Sequence, residues 1–556
     1  MNSEATALMD ESTAALELTK PAARPLFDRL LAPVTILLVV VYAIPILTFP
    51  PGRDQGTYLQ IGQSLLEGKH LYVQLWDNKP PGIFWVYAVI AKVFGRVMWS
   101  VAIVDFVLLL AISYLLFRFA KRYLGRAAAA LAVIVHASWH SGMMYFWIAQ
   151  PETLQVLCAL AALLLLVPEA KWWTVRCFAA GLLCGFGFWL KYNFIGFMPL
   201  LLLLPFLESI ALDENSPRFA LTVSWREWLL RIALIASGFA LTVVVVLGWI
   251  VFTGGWPAMQ QAQFQVLPRY ARMAITRNPH YLLMAVHNTY LYLRPATWFV
   301  TLAAVLIGWW RRDFKRLVPV LLAAAAALAT TVAQVRFHSY YFQVCFPFFA
   351  IIWAYLALQL VEITRWLTRV LKIQRRGLIA TLLWILAMNI AFLPIPEQVT
   401  GLILDYVAFQ QWCTQRETFY ADYPNQISIE LLRGQMDVIN YVKRNTKPSD
   451  SIFLWGSNSL IYFLTDRRPP TRFVLNLGVM AKWGEPSWKE EIVDAVEAAR
   501  PTLIIVTQGD ELPTITYVKL DSEQYLSRSF PRLNTYITQN YKIAANFDHF
   551  VIYKAN

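Results

Sequence analysis

Apolar runs of membrane-crossing length recur through the first 395 residues, separated by short polar segments. A helix needs roughly 20 apolar residues to cross a bilayer, and somewhat shorter runs are tolerated. The pattern predicts crossings near 33–50, 98–117, 127–146, 152–168, 174–190, 194–208, 229–252, 297–310, 317–333, 341–361 and 377–395. The intervening "RFAKRYLGR" (118–126), "KWWTVR" (171–176), "RRDFKR" (311–316) and "TRWLTRVLKIQRR" (364–376) are strongly basic. All fall on one side if the N-terminus is cytoplasmic and every span is real, as the positive-inside tendency requires. The segments 51–97, 147–151, 191–193, 253–296 and 334–340 then face outward, as does everything after Pro394. The first run follows a polar tail and leads into "TFPPGRD" without a small-residue cleavage site, so it reads as an uncleaved anchor.

Beyond about residue 396 the period changes. "QMDVINYVKRN" has helical spacing, "SIFLWG" and "TLIIVT" read as strands, "SLIYFLTD" as a short helix, and "YKIAANFDHFVIYK" as a terminal hairpin. The expected organisation is a cytoplasmic tail over 1–32, then a polytopic all-α membrane body of about 11 transmembrane helices over 33–395. A small extracytoplasmic α/β domain over 396–556 follows, a cap or acceptor-docking module. It contains no glycine-rich phosphate loop, and "WGSNS" is too short to signal a nucleotide site.

Composition agrees with the membrane class: 58% of the 556 residues are hydrophobic and only 15% charged, where a soluble chain carries about a quarter charged. The net charge of +13 would suit nucleic acid, but the Lys and Arg lie between apolar runs, where they set topology instead. No nucleic-acid partner is expected; membrane lipids are. The five cysteines have no paired or metal-ligand spacing and read as small core residues.

Chemistry concentrates just outside the first span, in "RDQGTYLQIGQSLLEGKHLYVQLWDNKPPG" (53–82). Tyr58, Ile61, Leu65 and Leu66 share one helical face opposite Gln60, Gln63 and Glu67, which predicts a helix lying on the outer leaflet. The prolines of "KPPGIFWVYAVIAKVFG" open a second helix, with Phe84, Trp85 and Tyr87 as interfacial rings. Asp54, Asp77 and Lys79 are thereby presented at the membrane–water boundary. Each has a plain structural explanation. Asp54 would serve as a helix N-cap, Asp77 as a cap or a partner for Lys79, and Lys79 as a snorkelling anchor. Glu152 would favour a helix N-terminus, and Lys191 and His338 would anchor span ends. Taken together these explanations weaken, because six polar residues from different helices fall at the same outer interface, where charge is costly and usually functional.

These motifs resemble the GT-C glycosyltransferases, specifically the dolichyl-phosphate-mannose-protein mannosyltransferase-like group that includes lipid A aminoarabinose transferases. The resemblance covers about residues 30–395. It rests on the Arg-Asp start, the "LLEG" middle and the "WDNKPPG" close of the first loop, with "QPETL", "LKYNF" and "FHSYYFQVCFPFFA" further on. Gln55 departs from it, standing where many relatives carry a second acid. The resemblance implies a polyprenyl-phosphate-linked sugar donor and a lipid, glycan or protein acceptor, with inversion at the anomeric carbon. It implies Asp54 as general base, with Lys79, Lys191 and His338 toward the donor phosphate and Tyr341 beside them at the substrate. Asp77 and Glu152 would orient substrate or help hold a divalent cation, which some relatives use. A lipid-linked sugar transporter is the rival, but it calls for mid-span charges or repeated halves, and the sequence displays neither. A non-catalytic scaffold would need no acid and base clustered at one interface.

Overall fold

The computed structural model describes residues 26–142, 145–166, 171–203, 224–311, 314–370, 395–416, 418–423 and 432–556, with isolated positions between 377 and 386. The expected crossing at 377–395 and the second half of the basic segment 364–376 lie outside these, those isolated positions aside. Helices lead the chain: α1 (Leu26–Ala43), α2 (Arg53–Leu66), α3 (Pro81–Phe94), α4 (Ser100–Ser141), α5 (Pro151–Leu165), α6 (Trp173–Leu190) and α7 (Trp225–Phe252). They continue through α8 (Leu267–Thr276), α9 (Tyr281–Tyr292), α10 (Ala296–Trp310), α11 (Phe314–Val332), α12 (Phe346–Val370) and α13 (Ile395–Thr414).

Among the described residues, six helices are long and apolar enough to cross a membrane, or seven if the pair α9–α10, bent by 76°, counts as one span. The two crossings expected at 98–117 and 127–146 are the halves of α4, whose 42 residues break at Gly125. There φ is +84°, a conformation that glycine adopts without strain. The basic segment 118–126 is therefore a helix end and a sharp break rather than a loop.

The C-terminal portion folds around a four-stranded sheet in the order β1-β2-β4-β3, with β1 (Ile452–Trp455), β2 (Leu503–Thr507), β3 (Tyr541–Phe547) and β4 (Phe550–Ala555). β1 and β2 are parallel, pairing Ile452 with Leu503, and both are buried on both faces, which is why they read as continuous apolar runs. β3 and β4 form the expected hairpin.

This unit is packed onto the first loop. Gly56 of α2 lies so close to Leu460 that an added Cβ would come within 2.8 Å of its side chain. Thr57 Oγ1 donates to Ser459 Oγ at 3.2 Å. Trp76 sits against Phe473 and Trp488, with ring centroids at 5.7 and 4.6 Å. Arg96 donates to the Phe463 carbonyl at 2.8 Å and pairs with Asp466 at 2.5 Å.

Two expectations are corrected here. α2 does not lie open on a leaflet: Tyr58, Ile61, Gln55, Gln60 and Ser64 are all buried, so both of its faces are covered by protein. Phe84 and Tyr87 are buried as well and pack edge-on against Tyr58, at 5.9 and 5.1 Å, instead of facing the interface.

Candidate active site

The first loop, the ends of several helices and the C-terminal unit enclose a cavity of about 570 Å³. Asp54, Asp77, Lys79, Lys191, His338 and Tyr341 all line it. Glu152 stands behind this wall, fully buried, holding Lys191 Nζ at 2.5 Å. The side chains singled out in the sequence thus converge, although they come from segments up to 287 residues apart.

Local structure explains each placement. α2 starts at Arg53 with Gly52 as its N-cap and no side-chain cap, so Asp54 lies in the first helical turn. The N-cap explanation of Asp54 is thereby excluded, and its carboxylate is free to face the cavity near the positive end of the helix dipole. Asp77 Oδ1 accepts the Lys79 backbone N–H at 2.9 Å, a tight turn ahead of two prolines, and lies 3.9 Å from Lys79 Nζ. Pro80 is the N-cap of α3, so Asp77 does not cap that helix. Tyr72 donates to the Lys79 carbonyl at 2.7 Å. Lys79 is therefore fixed through its backbone, its ammonium 5.1 Å from the Tyr58 ring centre, while its side chain lines the cavity and remains 22% exposed. Lys191 follows the last residue of α6, and its ammonium stands over the Tyr341 ring at 3.7 Å.

Charge is balanced tightly. Burial disfavours ionised Asp54, but the charges of Lys79, Arg53 and Lys191 outweigh it and hold its carboxyl below the usual carboxylate range. Burial pushes Asp77 up, against the pull of Lys79. Burial also opposes the Lys79 charge, yet Asp77 and Asp54 more than compensate, and its ammonium is held above the ordinary lysine value. His338 is pushed down to about 4 by burial, with Arg336 and Lys191 adding to the effect. It is a neutral imidazole near pH 7, a hydrogen-bonding group and not the cation the sequence suggested.

Several lining residues were not among the site residues expected from the sequence, although Arg53 belongs to the Arg-Asp start of the first loop. Arg53 presents Nε and Nη1, buried and without a hydrogen-bond partner among the described residues. Tyr270 comes from α8, its ring face 3.5 Å from the Arg336 guanidinium. Leu475, Leu477, Gly478, Trp483, Leu512 and Ile515 form an apolar roof from the C-terminal unit. Arg336 ties that roof down by donating to the Thr514 carbonyl at 2.9 Å and the Tyr517 hydroxyl at 3.0 Å.

A resident divalent cation does not fit this donor set. Glu152 is engaged by Lys191 and Asp77 by Lys79. Among the described residues no three His, Cys, Asp or Glu side chains form a metal-holding group. Lysine and arginine supply the positive charge here.

Residues 78–252 match the family described as dolichyl-phosphate-mannose-protein mannosyltransferase. No curated protein matches the sequence. Solved structures do: ArnT from Cupriavidus metallidurans bound to undecaprenyl phosphate superposes with a TM-score of 0.54 at 14% identity, covering 96% of this chain and 98% of that one. The same protein in its apo state gives 0.53 at 14% identity, over 95% and 97%. At that identity the likeness speaks for the fold, while the matched segment speaks for the chemistry. Nearly the whole chain thus has an ArnT-like fold, and within it residues 78–252 carry the likeness to the mannosyltransferase family.

Proposed function

We propose that the protein moves a sugar from a polyprenyl-phosphate donor to an acceptor hydroxyl of a lipid, glycan or protein at the outer face of the membrane. The observation that carries this reading is Asp54: a carboxylate held ionised by surrounding cations at the edge of a cavity large enough for a sugar and an acceptor group. Undecaprenyl phosphate bound to the structurally similar ArnT supports the donor class.

The acceptor O–H gives its proton to Asp54 as its oxygen attacks the anomeric carbon. The bond from that carbon to the phosphate oxygen breaks, and the electron pair leaves with the lipid phosphate. A general base contributes about 10²–10⁴-fold to such a step, and the low basicity of Asp54 is tolerable because the attacking oxygen acidifies as its bond forms. Lys79 and Arg53 offer positive charge to the departing phosphate. Lys191, clamped between Glu152 and Tyr341, adds a fixed charge beside them. A single displacement with one carboxylate inverts the anomeric centre.

Transport of a lipid-linked sugar gains no support from the cavity. The expectation that no span carries a charge is corrected by Asp105, within α4, but that residue does not line the cavity.

The test is release of free polyprenyl phosphate from a polyprenyl-phosphate sugar by purified protein in lipid nanodiscs. Asp54→Asn should fold, bind polyprenyl phosphate and lose on the order of a hundredfold or more in rate. Near-normal transfer by the folded variant would sink the assignment of the base, and no release by the unaltered protein would sink the reaction.

A further inference from the structure

One fully buried carboxylate, Asp105, lies outside the cavity. Asp105 lies in the second turn of α4 and uses both oxygens. Oδ1 accepts the Ala149 N–H at 2.7 Å, and Oδ2 is 2.8 Å from His140 Nε2, in the other half of the same broken helix. A carboxylate inside a bundle of membrane helices is costly to bury. A packing role alone would be met by an apolar side chain of the same size.

What Asp105 holds is the turn leading into α5. Ala149 has φ of +44°, an uncommon conformation for a residue with a Cβ, and persists because neighbours determine it. Asp105 grips its N–H, and the Tyr87 hydroxyl donates to its carbonyl at 3.2 Å. The Ile148 carbonyl accepts from Gln55 Nε2 at 2.8 Å, one residue from Asp54. The Trp147 carbonyl accepts from Gln343 Nε2 at 2.9 Å, two residues from Tyr341. Gln343 Oε1 in turn accepts from Thr153, next to Glu152. Three successive carbonyls thus tie together the segments that carry Asp54, Tyr341 and the neighbourhood of Lys79, and α5 begins two residues later at Pro151, with Glu152 in its first turn.

We propose that Asp105, braced by His140, is a positioning residue for sugar transfer: it sets the 147–150 turn, and with it the spacing between Asp54 and the Lys191–Glu152 pair. The inference rests on the transfer reading above. Misplacement by about 1 Å can cost on the order of a hundredfold in rate, so loss of this brace should appear in turnover.

Asp105→Asn tests it, because asparagine keeps the shape and an oxygen for the Ala149 N–H. The expected result is a kcat lowered about ten- to a hundredfold, donor KM and polyprenyl phosphate binding within a few-fold of the unaltered protein, and thermal unfolding little changed. Gln55→Ala should lower kcat less than additively on top of it, since both act through one turn. Unchanged kcat, full additivity, or a joint loss of stability and donor binding would each overturn the proposal. Amide exchange needs no activity: across 147–150 it should rise roughly five- to tenfold, as a charge-assisted bond becomes a neutral one. Unaltered exchange refutes the brace whether or not transfer is the reaction, whereas faster exchange in a protein that releases no polyprenyl phosphate refutes transfer alone.

Discussion

At the scale of single residues, the site works by fields rather than by isolated groups. Against burial, Asp54 keeps its charge through Lys79, Arg53 and Lys191, and Lys79 keeps its own through Asp77 and Asp54. Lys79→Met keeps the apolar stem and removes the charge. It should insert normally and weaken use of the lipid-linked donor about tenfold or more, read as donor KM and turnover in nanodiscs; unchanged kinetics would make Lys79 an anchor. His338 behaves oppositely. Its folded value is about 4 against an ordinary 6.5. Between those values the unfolded chain binds a proton that the folded chain refuses. The stability linked to His338 is therefore complete above pH 6.5 and lost as pH falls toward about 4. His338→Gln should flatten that slope, measurable as melting temperature against pH in detergent.

At the scale of elements, the hairpin of α2 and α3 decides where Asp54 and Lys79 stand. Its two helices touch backbone to backbone: a Cβ on Gly62 would meet Ala88 N at 2.5 Å and the Tyr87 carbonyl carbon at 2.7 Å. Backbone cannot yield as a flexible side chain does. Gly62→Ala should therefore cost about 1–3 kcal/mol as overpacking, seen as a lower melting temperature, and should shift Asp54 relative to Lys79 enough to slow transfer. Gly68→Ala is a useful contrast. That glycine sits at φ +84°, and an added Cβ would meet nothing within 4 Å, so its cost is backbone strain without displacement of the helix pair.

At the scale of the whole molecule, the cavity exists only because the C-terminal unit closes over the helix ends. α5 begins beside the site and α6 ends there, so the basic stretch 171–176 between them is carried to the far end of the bundle. At about 1.5 Å per residue the 18 residues of α6 span roughly 27 Å, close to the thickness of a bilayer core. A reporter fused near residue 314 should accordingly behave as cytoplasmic, and one fused after 556 as extracytoplasmic. A cytoplasmic C-terminus would put the roof, and the reaction, on the wrong side for a donor head group at the outer face.

Much of this was open to reading in the sequence. The apolar and basic pattern and the strands at 452–455 and 503–507 follow from local sequence, but the count of eleven crossings does not stand: among the described residues six or seven helices are long and apolar enough, and the expected spans at 152–168 and 194–208 are shorter apolar helices. The polar residues from Asp54 to His338 were legible as a group because charge at a membrane interface is costly wherever it occurs. The pattern could not say what covers an apolar face. Lipid and protein interior are equally apolar, so α2 gave the same periodicity whether it lay on a leaflet or, as it does, between α3 and Leu460. Nor could it tell that Asp105 and Ala149 meet, that Thr57 reaches Ser459, or that residues 475–515 roof the cavity. Those contacts join segments tens to hundreds of residues apart, and only the folded chain brings them within hydrogen-bonding distance.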